Sequence, residues 1–216
     1  MSTEHGFELT DFGKSRTEAL TDGIFAIAMT ILVLNLDIPS LPKQPTDVQV
    51  WQAIVKVMPN ALAFVASFIT LGMYWVSHHS AFRFLTRSDR TVLWLNMYFL
   101  LFASLVPFTT NLYAGDADSR VANAVFGANL VIMGLLTYAM WAYACMRKFI
   151  AEDMPGEVRR FITRRILTAP LLAALALLLS QFEPVWAEAV YFGMVPFFMF
   201  SVRRIDLPSV PHSKHS

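Results

Sequence analysis

Few side chains in this sequence can hold an ion or move a proton, and most of those lie where apolar runs begin or end. Asp22 is the foremost of them. It directly precedes the run Gly23-Ile-Phe-Ala-Ile27-Ala-Met-Thr30-Ile-Leu-Val-Leu34, and Arg16 stands six residues before it. A carboxylate carried into hydrocarbon costs roughly 3 kcal/mol unless it is paired or wetted. Asp22 is therefore either a functional group or a headgroup-level residue that orients its helix. Two histidines stand together in Tyr74-Trp75-Val76-Ser77-His78-His79, and Asn96 follows Trp94 at the start of the next apolar segment. Arg16, Asp22, His78 and Asn96 fall toward the same end of their segments, which suggests one interhelical polar network. Asp22, His78 and His79 could alternatively relay protons in a coupled transporter. A haem or metal reading of the histidines is weak, because adjacent residues point about 100° apart on a helix and no third ligand sits at a suitable spacing.

The run after Asp22 has a pattern of its own. Leu20, Gly23, Ile27, Thr30 and Leu34 follow one another at steps of three and four, hence on one helical face. Such a face can pack tightly against a neighbouring helix or line a narrow, weakly polar pore. On spacing alone, packing is the favoured reading.

These residues need a scaffold, and the composition says which kind. Of 216 residues, 56% are hydrophobic and only 15% charged, against about 25% charged in a soluble domain. The missing charge is what lipid-facing surface requires. Six segments approach the roughly 20 apolar residues that cross a bilayer: about 18–36, 54–77, 91–113, 121–146, 162–181 and 185–202. The expected fold is all-α, one six-helix transmembrane domain over residues 1–216, with residues 1–17 and 204–216 as extramembrane ends. The N-terminal stretch carries Glu4, Glu8, Asp11, Lys14 and Arg16 and no small-residue cleavage site, so the first helix is expected to stay in the mature protein.

Lysine and arginine set the orientation. With the N-terminus inside, 14 of the 17 basic residues fall on cytoplasmic segments and only Lys43, Lys56 and Arg120 on or near the other side. Both termini are then cytoplasmic, as in a multi-pass protein of the cell (inner) membrane. The cluster Arg159, Arg160, Arg164 and Arg165 serves topology and contact with anionic lipid. Net charge is +1, which argues against a nucleic-acid partner. Cys145 is the one cysteine and reads as a packing residue. No phosphate loop, nucleophile elbow or zinc-protease motif is present, which argues against an enzyme. The Thr-Val-Gly-Tyr-Gly potassium filter is also absent.

The string Arg16-x-x-x-Leu20-Thr21-Asp22-Gly23, with the apolar run behind it, resembles the prokaryotic branch of the lysosomal potassium channel family (transmembrane protein 175 family). That family's motif is Arg-x-x-x-Phe-Ser-Asp. The likeness extends to Trp75-Val-Ser-His78-His79, to Trp94-Leu-Asn96 and to Ser104-Leu-Val-Pro107-Phe108. Leu20 stands here for the motif Phe and Thr21 for the motif Ser. The resemblance implies a homotetramer in which four first helices surround a central pore that passes potassium passively and without a cofactor. Ile27, Thr30 and Leu34 would be its rings: apolar rings gate by dewetting, and Thr30 hydroxyls could hold a partly dehydrated K+ in transit. Arg16, Leu20, Thr21, Asp22, Gly23, Trp75, His78, His79, Trp94 and Asn96 would support that helix, with Arg16 and Asp22 as a structural pair.

Overall fold

Backbone N–H and C=O groups find no water in a bilayer core, so a chain that crosses one closes its hydrogen bonds within helices or a closed barrel. The computed structural model, which describes residues 9–151 and 154–201, takes the helical solution. Its elements are α1 (Leu9–Ile31), which tightens into a 3₁₀ turn (Leu32–Asn35), α2 (Asp47–Arg83), α3 (Arg90–Gly115), α4 (Arg120–Met146), α5 (Gly156–Ser180) and α6 (Pro184–Ser201). Among the described residues, five stretches are long and apolar enough to cross a membrane, one in each of α1 to α5. The expected extramembrane tail 204–216, with Arg203 just before it, lies outside the described residues, as do residues 1–8.

A helix stands at each of the six expected spans, though α6 is not among the five stretches that qualify, and several helices outrun their expected bounds. α1 is already helical at Leu9 rather than starting near Glu18, so part of the segment expected as an extramembrane end belongs to the helix. α2 begins at Asp47, not near Ile54. There Thr46 Oγ1 accepts from Gln49 N at 3.3 Å while Gln49 Oε1 accepts from Thr46 N at 2.9 Å. This reciprocal cap satisfies two otherwise orphaned donors. With 37 residues α2 is about 55 Å long, well beyond the roughly 30 Å of a hydrocarbon core. Hydropathy marks where a helix meets lipid, not where helical hydrogen bonding starts.

The helices pack in sequence, α3 on α4, α4 on α5 and α5 on α6, with α1 lying against α2 and α3. Phe25, Leu32, Leu71, Tyr74, Phe82, Phe99, Leu130, Met133 and Trp141 are fully buried among them. In lipid, burying such groups against each other gains little over burying them in acyl chains. Close backbone approach and interhelical hydrogen bonds hold the helices instead. Gly134 on α4 sits against the Pro170 ring of α5, leaving no room for a Cβ. Tyr74 Oη donates to Leu130 O at 2.7 Å, and Thr110 Oγ1 donates to Ser67 Oγ at 2.9 Å. Trp141 Nε1 donates to Thr163 Oγ1 at 2.8 Å.

At the end of the bundle where α2 stops and α3 starts, the connections lock together. Leu85 and Ile150 form an isolated antiparallel bridge, and Thr86 N donates to Phe149 O at 2.7 Å. Asp89 caps α3 by accepting from Val92 N at 3.0 Å, and its other oxygen accepts from Tyr143 Oη of α4 at 2.7 Å. Burial opposes the charged form of this carboxylate. The Tyr143 hydroxyl, the Val92 and Thr91 amides and Arg147 outweigh that and hold it below its ordinary range.

Candidate functional site

α1 has two unlike faces. Thr17, Thr21, Phe25, Ala28 and Leu32 are all buried and recur at steps of four, four, three and four, so they form one stripe pressed into the bundle. The opposite stripe is open. Ile27 is 56% exposed and Leu34 71% exposed. Leu20 and Thr30 are also exposed, and a Cβ built on Gly23 would meet nothing within 4 Å. Thr30 Oγ1 donates to Ile27 O of its own helix at 2.8 Å. Its proton is thereby turned inward and its lone pairs face out.

Behind the buried stripe runs a short polar chain. Thr21 Oγ1 donates to Thr17 O at 2.9 Å and accepts from Asn96 Nδ2 at 3.2 Å. Asn96 Oδ1 lies 2.8 Å from His78 Nε2. Since that oxygen accepts, His78 carries its proton on Nε2, a tautomer assigned from the network. Three helices are joined through one asparagine. The His78 ring is held by stacking on Phe82 at 4.2 Å and on Phe99 at 5.0 Å, and Phe99 in turn meets Phe25 of α1 at 5.6 Å. Unpartnered, these polar groups would be costly; connected, they fix how α1 is rotated against α2 and α3.

The structure divides the residues singled out in the sequence. Of the four residues expected in one network, His78 and Asn96 meet, and Thr21 joins them in place of Arg16 and Asp22. Asp22 does not join them: its Oδ1 accepts from Trp75 Nε1 at 2.7 Å, and Trp75 stacks on His79 at 5.7 Å. Arg16 is exposed, and the expected Arg16–Asp22 pair is not formed within the chain. The reason is geometric. Residues six apart lie about 120° apart around a helix, whereas side chains three or four apart are neighbours. Leu20 stands on the open face rather than behind it, and Trp94 is 57% exposed beside Tyr98.

Two anchors of α1 were not singled out in the sequence. Lys14 Nζ donates to Leu85 O at 2.7 Å, and Asn35 Nδ2 donates to Pro107 O at 2.9 Å. Both bonds end on backbone carbonyls, which carry no residue-type signal. Asn35 at the end of a long apolar run was the one available hint.

The family model described as endosomal/lysosomal potassium channel TMEM175 matches residues 16–107, the stretch that holds α1, the polar chain and Pro107. A potassium channel of Chamaesiphon minutus is 30% identical over 190 residues, which cover 83% of this chain and 93% of that protein. A potassium channel of Streptomyces collinus is 37% identical over 130 residues, 58% of this chain, and the match spans only 62% of that protein's length. Vertebrate relatives, such as that of Danio rerio, bear the name endosomal/lysosomal proton channel, and the match spans 27% of that protein. The crystal structure of a lysosomal potassium-selective channel TMEM175 homolog from Chamaesiphon minutus superposes with a TM-score of 0.76 at 29% identity, covering 88% of this chain and 97% of that one.

Proposed function

From its membership of the TMEM175 channel family, to which this chain belongs, we propose that it is a potassium-preferring cation channel whose pore is lined by four copies of α1. It is a membrane protein of a channel family, not an enzyme family. The observation that carries the pore reading is the division of α1 into a buried stripe and an open one. Ile27, Thr30 and Leu34 stand on the open stripe while the polar chain grips the helix from behind. Around a fourfold axis, Ile27 and Leu34 would form apolar constrictions that gate by dewetting. Thr30, with its lone pairs outward, would offer oxygen to a passing K+ between them. Conduction is passive and needs no cofactor. The assembly is a homotetramer in the inner membrane with both termini cytoplasmic, the orientation that the basic residues favour.

Reconstitution in liposomes tests this directly. Ile27→Asn and Leu34→Asn should each raise potassium conductance severalfold without changing assembly. Unchanged currents in both variants would remove α1 from the pore.

The names of the vertebrate relatives support proton permeation as a second reading. A relay through Asp22, His78 and His79 is a poor route for it, since Asp22 is held by Trp75 and His78 by Asn96. Reversal potentials separate the readings: a shift with the potassium gradient supports the first, a shift with the pH gradient alone the second.

A further inference from the structure

Away from α1, the ends of α4 and α5 enclose an open cavity of about 400 Å³. Its walls combine two chemistries. Tyr138 and Trp141 of α4 give an aromatic side, while Arg159, Arg160 and Arg164 of α5 supply three guanidinium groups. Arg160 and Arg164 are one turn apart and stack along one face. Thr163 lies between them and is fully engaged: it donates to Arg159 O at 2.8 Å and accepts from Trp141 Nε1 at 2.8 Å. That pair of bonds staples α4 to α5 and fixes the shape of the cavity. No carboxylate lines the cavity, and none of the three arginines forms an ion pair among the described residues. All three are exposed.

We infer that this cavity is a binding site for the phosphate-bearing headgroup of an anionic phospholipid. Three guanidinium groups on one cavity wall, without an ion pair among the described residues, match a phosphodiester, which arginine grips with paired N–H donors. The placement selects a lipid over a soluble anion. Arg159 closes the first turn of α5 and Arg160 opens the second, and Arg164 is about 12 Å along the axis from Gly156. The arginines therefore stand at headgroup depth near the end of two membrane helices, and Tyr138 and Trp141 face them from α4. Basic recesses between membrane helices suit anionic headgroups for this reason. The site requires only that the helices span a bilayer, and is independent of which ion the protein passes.

Displacement of spin-labelled phosphatidylglycerol from the full-length protein in detergent micelles tests the proposal. Unlabelled phosphatidylglycerol should displace the probe at far lower concentration than phosphatidylcholine. The double variant Arg160→Gln with Arg164→Gln should weaken probe binding about twenty-fivefold, at about fivefold for each guanidinium lost near an anionic headgroup. The control pair Arg147→Gln with Lys148→Gln, basic residues at the same end that do not line the cavity, should bind as the wild type does. An equal loss in the control pair would reduce the effect to general surface charge and overturn the site. Displacement of the probe by millimolar inorganic phosphate would assign the cavity to a soluble anion instead of a lipid. Should the double variant fail to fold, the single variants and the wild-type lipid preference still decide. A wild type that does not distinguish phosphatidylglycerol from phosphatidylcholine ends the proposal.

Discussion

α1 and α4 are both membrane helices with apolar residues on every side, yet they solve opposite problems. α4 lies against α3 and α5 and comes so close that Gly134 touches the Pro170 ring. α1 is held along one stripe and left open along the other, where Gly23 meets nothing. The same residue type thus marks a contact in one helix and a clearing in the other. In a membrane, where lipid is as apolar as leucine, hydrophobicity does not tell a packed face from an open one; only distance does.

The sharpest way to break this contrast is to make one substitution in both places. Gly134→Ala should lower stability by about 3 kcal/mol, because its Cβ overlaps a rigid ring that cannot swing aside. Thermal melting of the purified protein reads this directly. Gly23→Ala should be neutral or stabilise by about 0.5 kcal/mol through helix propensity. An equal loss at Gly23 would mean that the open stripe of α1 is closely covered in the assembly.

Between those extremes lies the polar chain behind α1. Asn96→Leu leaves the buried Nε2–H of His78 without an acceptor, a cost of about 2 kcal/mol. Thr21 keeps its bond to Thr17 O and loses less. The loss should appear in melting while single-channel ion preference stays unchanged. A changed preference at unchanged stability would move Asn96 from support to pore.

A pH-dependent effect is expected at Asp89, outside the spans. Its folded carboxyl is more acidic than in the unfolded chain, so its stabilisation is present above the unfolded carboxylate value and is lost as pH falls through the folded one. Wild type should therefore melt higher than Asp89→Asn at neutral pH, with the gap closing in acid. A gap that persists at low pH would show that the second acceptor oxygen, which takes the Tyr143 hydroxyl, matters rather than the charge.

Much of the functional half was legible in the sequence because polar residues are rare there. His78 and Asn96 stood out against an apolar background, Thr21 entered only as the hydroxyl at the motif's Ser position, and the three-four spacing of Ile27, Thr30 and Leu34 isolated the stripe that the structure leaves open. The Arg16–Asp22 pair was misread because closeness in sequence stood in for position around the helix. Gly134 and Pro170 carried no signal, since each is ordinary in a membrane helix and the fit exists only between two elements. The bonds of Lys14 and Asn35 end on carbonyls, so Lys14 was silent and Asn35 gave a hint only by its place at the end of an apolar run.

Those two residues lend the molecule a last property. Lys14 near one end of α1, Thr21 in its middle and Asn35 beyond its far end all grip the helix from the rear. The helix stands like a stave nailed from behind, so its facing can be exchanged without disturbing its posture. In the proposed pore, substitutions at Ile27, Thr30 or Leu34 would change what a permeating ion meets while the carpentry that sets the helix upright is left alone, which would put new selectivities within reach of single mutations.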